Sequence, residues 1–391
     1  MELKLRAERI ALAIIGFSGV IDTSFLLGII APYAVKLGAS DPQAGLITGL
    51  YSMVAIPASI LAGIIVDKIG RKKSLAFGLA WDSVMVYSYS LASNPLQLSV
   101  VRALHAIGGS LVYPAYLSVI GDKTEGSRSR GVVVGGYLSI VALAVAVGSL
   151  SSAVIVSTLG YHASFKILSL ILLAGLISTY IVSEAERAHI EERKSIWAGL
   201  VEARGPILYG LILIFMLYMS FGMLIGGLGQ ALLNEGLVTE EEEASGILGA
   251  IIGISTLVSI PFLTIFGYMA DRSSLRRVSV IVGLLVMLFI LTTIRTKRLA
   301  LLVVLFSPYG LAIALIMTLS TILVLKAPFE SRGTAVALQQ VSNIMGVAIG
   351  APVAGALAEY YGLEGVALGV AIPVFIASLL AYLKGVAYIK S

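Results

Sequence analysis

Apolar stretches of about twenty residues, separated by short polar joints, run the whole length of this chain. A helix needs roughly 20 apolar residues to cross the hydrocarbon of a bilayer. The pattern predicts twelve such helices, over 10–32, 44–66, 74–92, 96–120, 132–157, 163–183, 206–232, 245–268, 277–294, 299–325, 334–358 and 364–386. The longest joint, 183–205, reads "SEAERAHIEERKSIWAGLVEARG" and predicts a surface helix.

Composition agrees with that pattern. Of the 391 residues 58% are hydrophobic and 13% charged, against about 25% charged in soluble domains. The chain is expected to be an all-α integral membrane protein. The net charge of +5 is no nucleic-acid signal, because the cations sit in short clusters between apolar runs, where they set topology. With the N-terminus in the cytoplasm, Lys4, Arg6 and Arg9, then Lys68, Arg71, Lys72 and Lys73, and most later clusters fall inside. Only Lys36, Lys166, Arg295, Lys297 and Arg298 fall outside, which places both termini in the cytoplasm. The apolar run after the N-terminal cations is too long for a signal-peptide core and is taken as a retained span. There are no cysteines, so disulfides and thiolate metal sites are excluded.

The two halves repeat. "IPASILAGIIVDK" from Ile56 aligns with "IPFLTIFGYMADR" from Ile260, matching Pro57 with Pro261, Gly63 with Gly267 and Asp67 with Asp271. Gly45 and Gly49 match Gly249 and Gly253; "SRG" recurs at 129–131 and 331–333, and Gly160 matches Gly362. Two like-oriented halves imply an axis along the membrane normal. "GIIVDKIGRKK" at 63–73 resembles the loop signature of the major facilitator superfamily between helices two and three, and "GYMADRSSLRR" at 267–277 resembles its degenerate second copy. "RALHAIGG" at 102–109 is similar to that family's helix-four motif, and "LGYHASF" at 159–165 to its junction before helix six. The resemblance implies two pseudo-symmetric six-helix bundles, 1–183 and 206–391, joined by a cytoplasmic linker at 184–205.

The stretch at 63–73 carries its own physics. Gly63 and Asp67 are four apart and share a helix face. Gly63 allows close approach of another helix. Asp67 lies at the C-terminal, negative end of its own helix and needs a partner. The resemblance implies the start of helix eleven near Gly333, with Arg71 adding a charge contact. Gly70 permits the tight turn. Gly63, Asp67, Gly70, Arg71 and Lys72, with Gly267, Asp271, Arg272 and Arg276 in the second copy, form a candidate cytoplasmic latch between the halves.

Four ionisable residues lie deep within spans of the first half: Asp22, Asp82, Arg102 and His105. An ionised residue near the bilayer centre costs on the order of 3 kcal/mol, and the corresponding positions of the second half are uncharged. Asp22 and Arg102 are expected to face each other across a central cavity, and Asp82 to pair with His105 across a helix hairpin. Functionally, the group is a candidate for proton coupling; structurally, Asp82 and His105 could be only a hydrogen bond. Tyr218, Tyr309, Gln339, Gln340 and Asn343 could complete a substrate site.

Asp22 in helix one with Arg102 in helix four resembles drug–proton antiporters and implies proton-coupled efflux of amphipathic or cationic compounds. Residues 131–160 contain no Pro, where those antiporters carry a Gly-Pro motif, so a proton-linked metabolite uptake carrier stays open. So does a non-transporting receptor or scaffold. No nucleotide loop and no metal-ligand spacing occurs, so neither an enzyme nor a cofactor is expected. The expected partners are a small-molecule substrate, protons and the lipid bilayer, with a monomer in the plasma membrane.

Overall fold

The computed structural model describes residues 2–27, 29–39, 41–183, 201, 204–239, 241–272, 275–296 and 298–385. The surface helix expected over 183–205 lies largely outside them. The described residues are all helical or in short turns: α1 (Glu2–Leu27), α2 (Ile30–Lys36), α3 (Asp41–Ile69), α4 (Arg71–Tyr89), α5 (Pro95–Lys123) and α6 (Arg130–Thr179) in the first half of the chain. They continue as α7 (Arg204–Asn234), α8 (Glu241–Asp271), α9 (Leu275–Thr292), α10 (Leu299–Phe306), α11 (Tyr309–Val324) and α12 (Arg332–Leu380).

Among the described residues ten stretches are long and apolar enough to cross a membrane. One of them, Phe329–Leu383, is 55 residues long and holds two of the expected spans. Arg71–Tyr89 is not among the ten: three cations at its start and Asp82 in its middle dilute its hydropathy.

Two expected boundaries take an unexpected form. α6 and α12 each join two spans through a single glycine rather than a loop. Gly160 has φ 76° and ψ 169°, and Gly362 has φ 54° and ψ −142°. A side chain would strain either backbone, so glycine turns the chain there at the corresponding position of each half. A third boundary is capped conventionally. Asn94 accepts from the Gln97 N–H at 2.9 Å, and Pro95 opens α5. Pro308 separates α10 from α11 within one expected span.

Two compact units form. The first comprises Met1–Glu125, Ile140–Glu202 and Ala327–Gln340; the second comprises Gly126–Ser139, Ala203–Lys326 and Val341–Ser391. In the first, α5 packs against both α3 and α4; in the second, α11 packs against α7 and α8. The first turns of α12 belong to the first unit, and those of α6 to the second.

Candidate functional site

The helix-four motif of the sequence, on α5, builds the first site. Arg102, His105, Gly108 and Gly109 lie three, six and seven residues apart and so line one side of the helix. The two glycines make notches. The Asp82 carboxylate sits where a Gly108 side chain would be, and the Tyr51 hydroxyl where that of Gly109 would be. Through those notches α4 and α3 bring polar groups against His105.

His105 is fully buried and is bonded at both ring nitrogens. Its Nε2 lies 2.9 Å from Asp22 Oδ2 on α1, and its Nδ1 lies 3.1 Å from the Tyr89 hydroxyl at the end of α4. Asp82 Oδ1 is 3.9 Å from Nε2, too far for a hydrogen bond, and this buried atom has no hydrogen-bond partner among the described residues. The Tyr51 ring stands between two cation-capable groups. The Arg102 guanidinium is 4.8 Å from its centre, and the His105 ring 5.3 Å away at 67°. Arg102 is 2% exposed, and its Nε and Nη1 have no hydrogen-bond partner among the described residues.

This corrects one expected pairing. Among the described residues no salt bridge joins Asp22 to Arg102; Asp22 pairs with His105. Asp82, expected to partner His105, does lie beside it, at ion-pair rather than hydrogen-bond distance. The reason lies in where α1 crosses α5. It meets the turn carrying His105, while Arg102, one turn nearer the start of α5, extends over Tyr51. Tyr51 and Tyr89 were not singled out from the sequence, where nothing separates them from other membrane-helix tyrosines. The Gly108–Gly109 pair was the available signal, since adjacent small residues within a span mark close approach.

Asp22, Asp82 and His105 each offer a ligand atom within 4.8 Å of the others, the one described trio able to hold a metal ion. Arg102 shares the Tyr51 ring with His105, and its fixed positive charge opposes a divalent cation there.

The second site is at the end of α3. Asp67 accepts from the backbone N–H groups of Gly333 and Thr334, each at 2.7 Å, and from the Thr334 hydroxyl at 2.7 Å. A carboxylate thus caps the positive start of α12. Gly63 lies one turn earlier, and a Cβ there would come within 2.6 Å of Ala337 Cβ and 2.7 Å of Thr334 Cα. Gly70 makes the turn at φ 114°. Arg71 Nη2 is 3.5 Å from Asp67 Oδ1, its Nε is 3.2 Å from Asp122 Oδ2, and its guanidinium stacks 3.9 Å from the Phe329 ring centre. Arg332, 2% exposed, bonds Asp122 and lies 3.3 Å from Glu125. The charges alternate as Asp67, Arg71, Asp122, Arg332, Glu125. Lys72 is half-buried and pairs with no carboxylate among the described residues.

The second copy repeats the cap without the cations. Asp271 accepts from the N–H groups of Gly131 at 2.6 Å and Val132 at 3.0 Å, at the start of α6. Gly267 packs against Gly131. Arg272 and Arg276 instead lie over the rings of Tyr268 and Tyr382, at 4.2 and 5.0 Å. Asp122, Glu125 and Arg332 were not picked out as site residues, because in a linear chain they read only as polar helix ends. Gly63→Leu is expected to displace the start of α12, since its neighbours are backbone or short side chains. The chain has no native cysteine, so cysteines placed singly at 334 and 337 should label at least tenfold faster in the Gly63→Leu background.

The remaining candidates do not converge. Tyr309 is buried and its hydroxyl bonds Ser220 at 3.1 Å and the Leu217 carbonyl at 3.4 Å. Tyr218 is half-buried, edge-on to Phe221. Gln339 is buried. The Gln340 Oε1 and Asn343 Oδ1 atoms, one turn apart on α12, are buried with no hydrogen-bond partner among the described residues.

The paired glycine-and-aspartate helix caps and the charged cluster lie in helices long and apolar enough to cross a membrane. The family model described as Major Facilitator Superfamily matches residues 12–239 and 210–387, and the chain belongs to that superfamily. It is 25% identical over 357 residues to the inner membrane transport protein YajR of Escherichia coli (strain K12), covering 88% of this chain and 75% of YajR. It is 25% identical over 182 residues to multidrug resistance protein 3 of Bacillus subtilis (strain 168), spanning 46% of this chain and 35% of that protein. A Na(+), Li(+), K(+)/H(+) antiporter of Planococcus maritimus is 24% identical over 196 residues, 46% of this chain and 45% of the antiporter. The crystal structure of the human organic anion transporter MFSD10 (TETRAN) superposes with a TM-score of 0.73 at 12% identity, covering 96% of this chain and 99% of that one.

Proposed function

We propose that this protein is a proton-coupled secondary transporter that exports small amphipathic or cationic compounds by alternating access. In this reading the chain crosses the plasma membrane twelve times, as two six-helix halves (1–183 and 206–391) joined by a linker at 184–205. Both termini are cytoplasmic, and the protein works as a monomer. The observation that carries the reading is the buried Asp22–His105 pair, with Asp82 and Arg102 beside it, in one half of a repeated scaffold. Mid-membrane charge costs on the order of 3 kcal/mol per residue, and a repeat whose other half manages without it has no structural need of it. A carboxylate and an imidazole in hydrogen-bond contact are chemically able to take up a proton and pass it on. The names of the multidrug resistance protein and the cation/proton antiporter support export and proton exchange.

The caps at Asp67 and Asp271 supply the conformational half of the cycle. Each holds a helix start through charge-assisted hydrogen bonds, worth about 1.5–3 kcal/mol apiece. Opening toward the cytoplasm requires their release, and Gly63 and Gly267 allow the backbones to close again.

A second reading has one specific observation in its favour. The two unpartnered nitrogens of Arg102 would suit a substrate with an acidic group, and uptake of a metabolite with protons would use them. Reconstituted liposomes decide between the two. With a quaternary ammonium dye, a pH gradient should accelerate movement against the proton flow at least tenfold. If monocarboxylates but no cations show gradient-dependent flux, export of cations is wrong. If neither class does, proton coupling fails as well.

A further inference from the structure

We infer that Tyr89 is a positioning residue that reads the protonation of Asp22 through His105 by reversing the direction of its own hydrogen bond. The inference rests on the coupling role proposed for Asp22. Its basis is that both nitrogens of one fully buried imidazole are engaged, Nε2 by Asp22 at 2.9 Å and Nδ1 by the Tyr89 hydroxyl at 3.1 Å. A neutral imidazole has one N–H and one lone pair, so the two contacts cannot be chosen independently. With Asp22 ionised, the carboxylate only accepts. Nε2 must then carry the hydrogen, Nδ1 must accept, and the Tyr89 O–H must donate.

Adding one proton reverses every bond in the row. The proton binds Nδ1, the Nε2 hydrogen passes to Asp22 Oδ2, and Nδ1–H now donates to the Tyr89 oxygen. One N–H bond forms, another breaks, and the carboxyl O–H forms; the cluster gains a single proton and nothing else changes. The Tyr89 hydrogen, no longer held by Nδ1, turns to another acceptor. Proton occupancy on α1 is thereby delivered to the last residue of α4.

The surroundings make Tyr89 a suitable receiver. It is fully buried, so water does not compete for its hydroxyl. Its own carbonyl accepts from the Tyr33 hydroxyl at 3.1 Å, which ties the end of α4 to α2. Its ring meets Phe165 of α6 at 5.4 Å. Arg102 lies beside its hydroxyl, so a reversal there changes what the guanidinium faces. Among the described residues the titratable and charged groups around this row include Asp22 on α1, Tyr33 on α2, Tyr51 on α3, Asp82 on α4, Arg102 on α5 and His162 on α6, whose Nδ1 lies 2.7 Å from the carbonyl of Ser90.

The histidine tautomer is a direct readout. The chain has three histidines, so a His162→Gln, His189→Gln background leaves His105 as the single ring-15N signal in nanodiscs. At alkaline pH the hydrogen should reside on Nε2; on acidification it should appear on Nδ1. Tyr89→Phe keeps the ring but not the hydroxyl, and it should displace the midpoint of that conversion by at least one pH unit. An unshifted midpoint in Tyr89→Phe overturns the inference and leaves the coupling role of Asp22 standing. Conversion that persists unchanged in Asp22→Asn removes the coupling role itself. If Tyr89→Phe does not fold, the double-glutamine protein alone is decisive: a hydrogen on Nδ1 at alkaline pH means that Tyr89 accepts in both states, and the inference is wrong.

Discussion

Asp22→Asn is expected to abolish gradient-driven transport and to leave substrate exchange at equal pH within about threefold of the parent. Asparagine has nearly the shape of aspartate and can still accept a hydrogen bond from His105 Nε2, which lies 2.9 Å from the carboxylate, so local packing survives. The amide cannot take up a proton, so the site no longer links proton movement to conformational change. The loss is large because the driving force is large. One elementary charge moved across 100 mV is worth about 2.3 kcal/mol, which corresponds to an accumulation of roughly fiftyfold. In the variant, accumulation should fall to the passive value at every imposed gradient. Flux in liposomes with and without a gradient measures both quantities in one preparation. A variant that still concentrates substrate would take Asp22 out of the coupling role.

The second large effect concerns stability. Arg332→Ala should lower the thermal unfolding midpoint by on the order of 10 °C, while Glu125→Gln should move it little. Arg332 is 2% exposed and is bound to Asp122, itself only 3% exposed. Removing Arg332 takes from buried Asp122 one of its two cations and leaves it with Arg71 alone, 3.2 Å away, a loss bounded by the about 3–5 kcal/mol of a fully broken buried pair. Glu125, at the end of the same row, has a side chain 57% exposed; a solvated partner of that kind contributes within about 1 kcal/mol. The double variant Arg332→Met with Asp122→Leu separates charge from packing. It removes both ions and should recover most of the lost stability, although Arg71 then keeps Asp67 as its acidic partner. Equal losses in Arg332→Ala and in the double variant would show that the guanidinium matters through its volume rather than its charge.

The same contrast shows which features were legible in the chain. Asp67 could be given a helix start as partner before any coordinates, because a carboxylate at the negative end of its own helix is unfavourable unless something positive meets it. The resemblance to the superfamily's loop signature then pointed to the helix start near Gly333. Asp271 followed by the alignment of the two halves. The cluster around His105 was only partly legible. Four ionisable residues inside apolar runs announce themselves through their cost in the bilayer, but their pairing depends on the rotation and crossing of three helices. A shift of one turn along α5 decided that His105, and not Arg102, meets Asp22. The tyrosines that complete the cluster carry no such cost in a membrane helix and so gave no warning in the chain.

Hydropathy, the spacing of glycines and the bias of lysine and arginine by themselves determined that this chain is helical, membrane-embedded and built on a duplicated plan. Those properties are local: each follows from what one stretch of about twenty residues can satisfy with its own backbone and its own solvent. Which buried acid meets which base was decided only by the tertiary structure. A polar group in a low-dielectric interior bonds whatever neighbour the packing brings within about 3 Å, and packing depends on every helix at once.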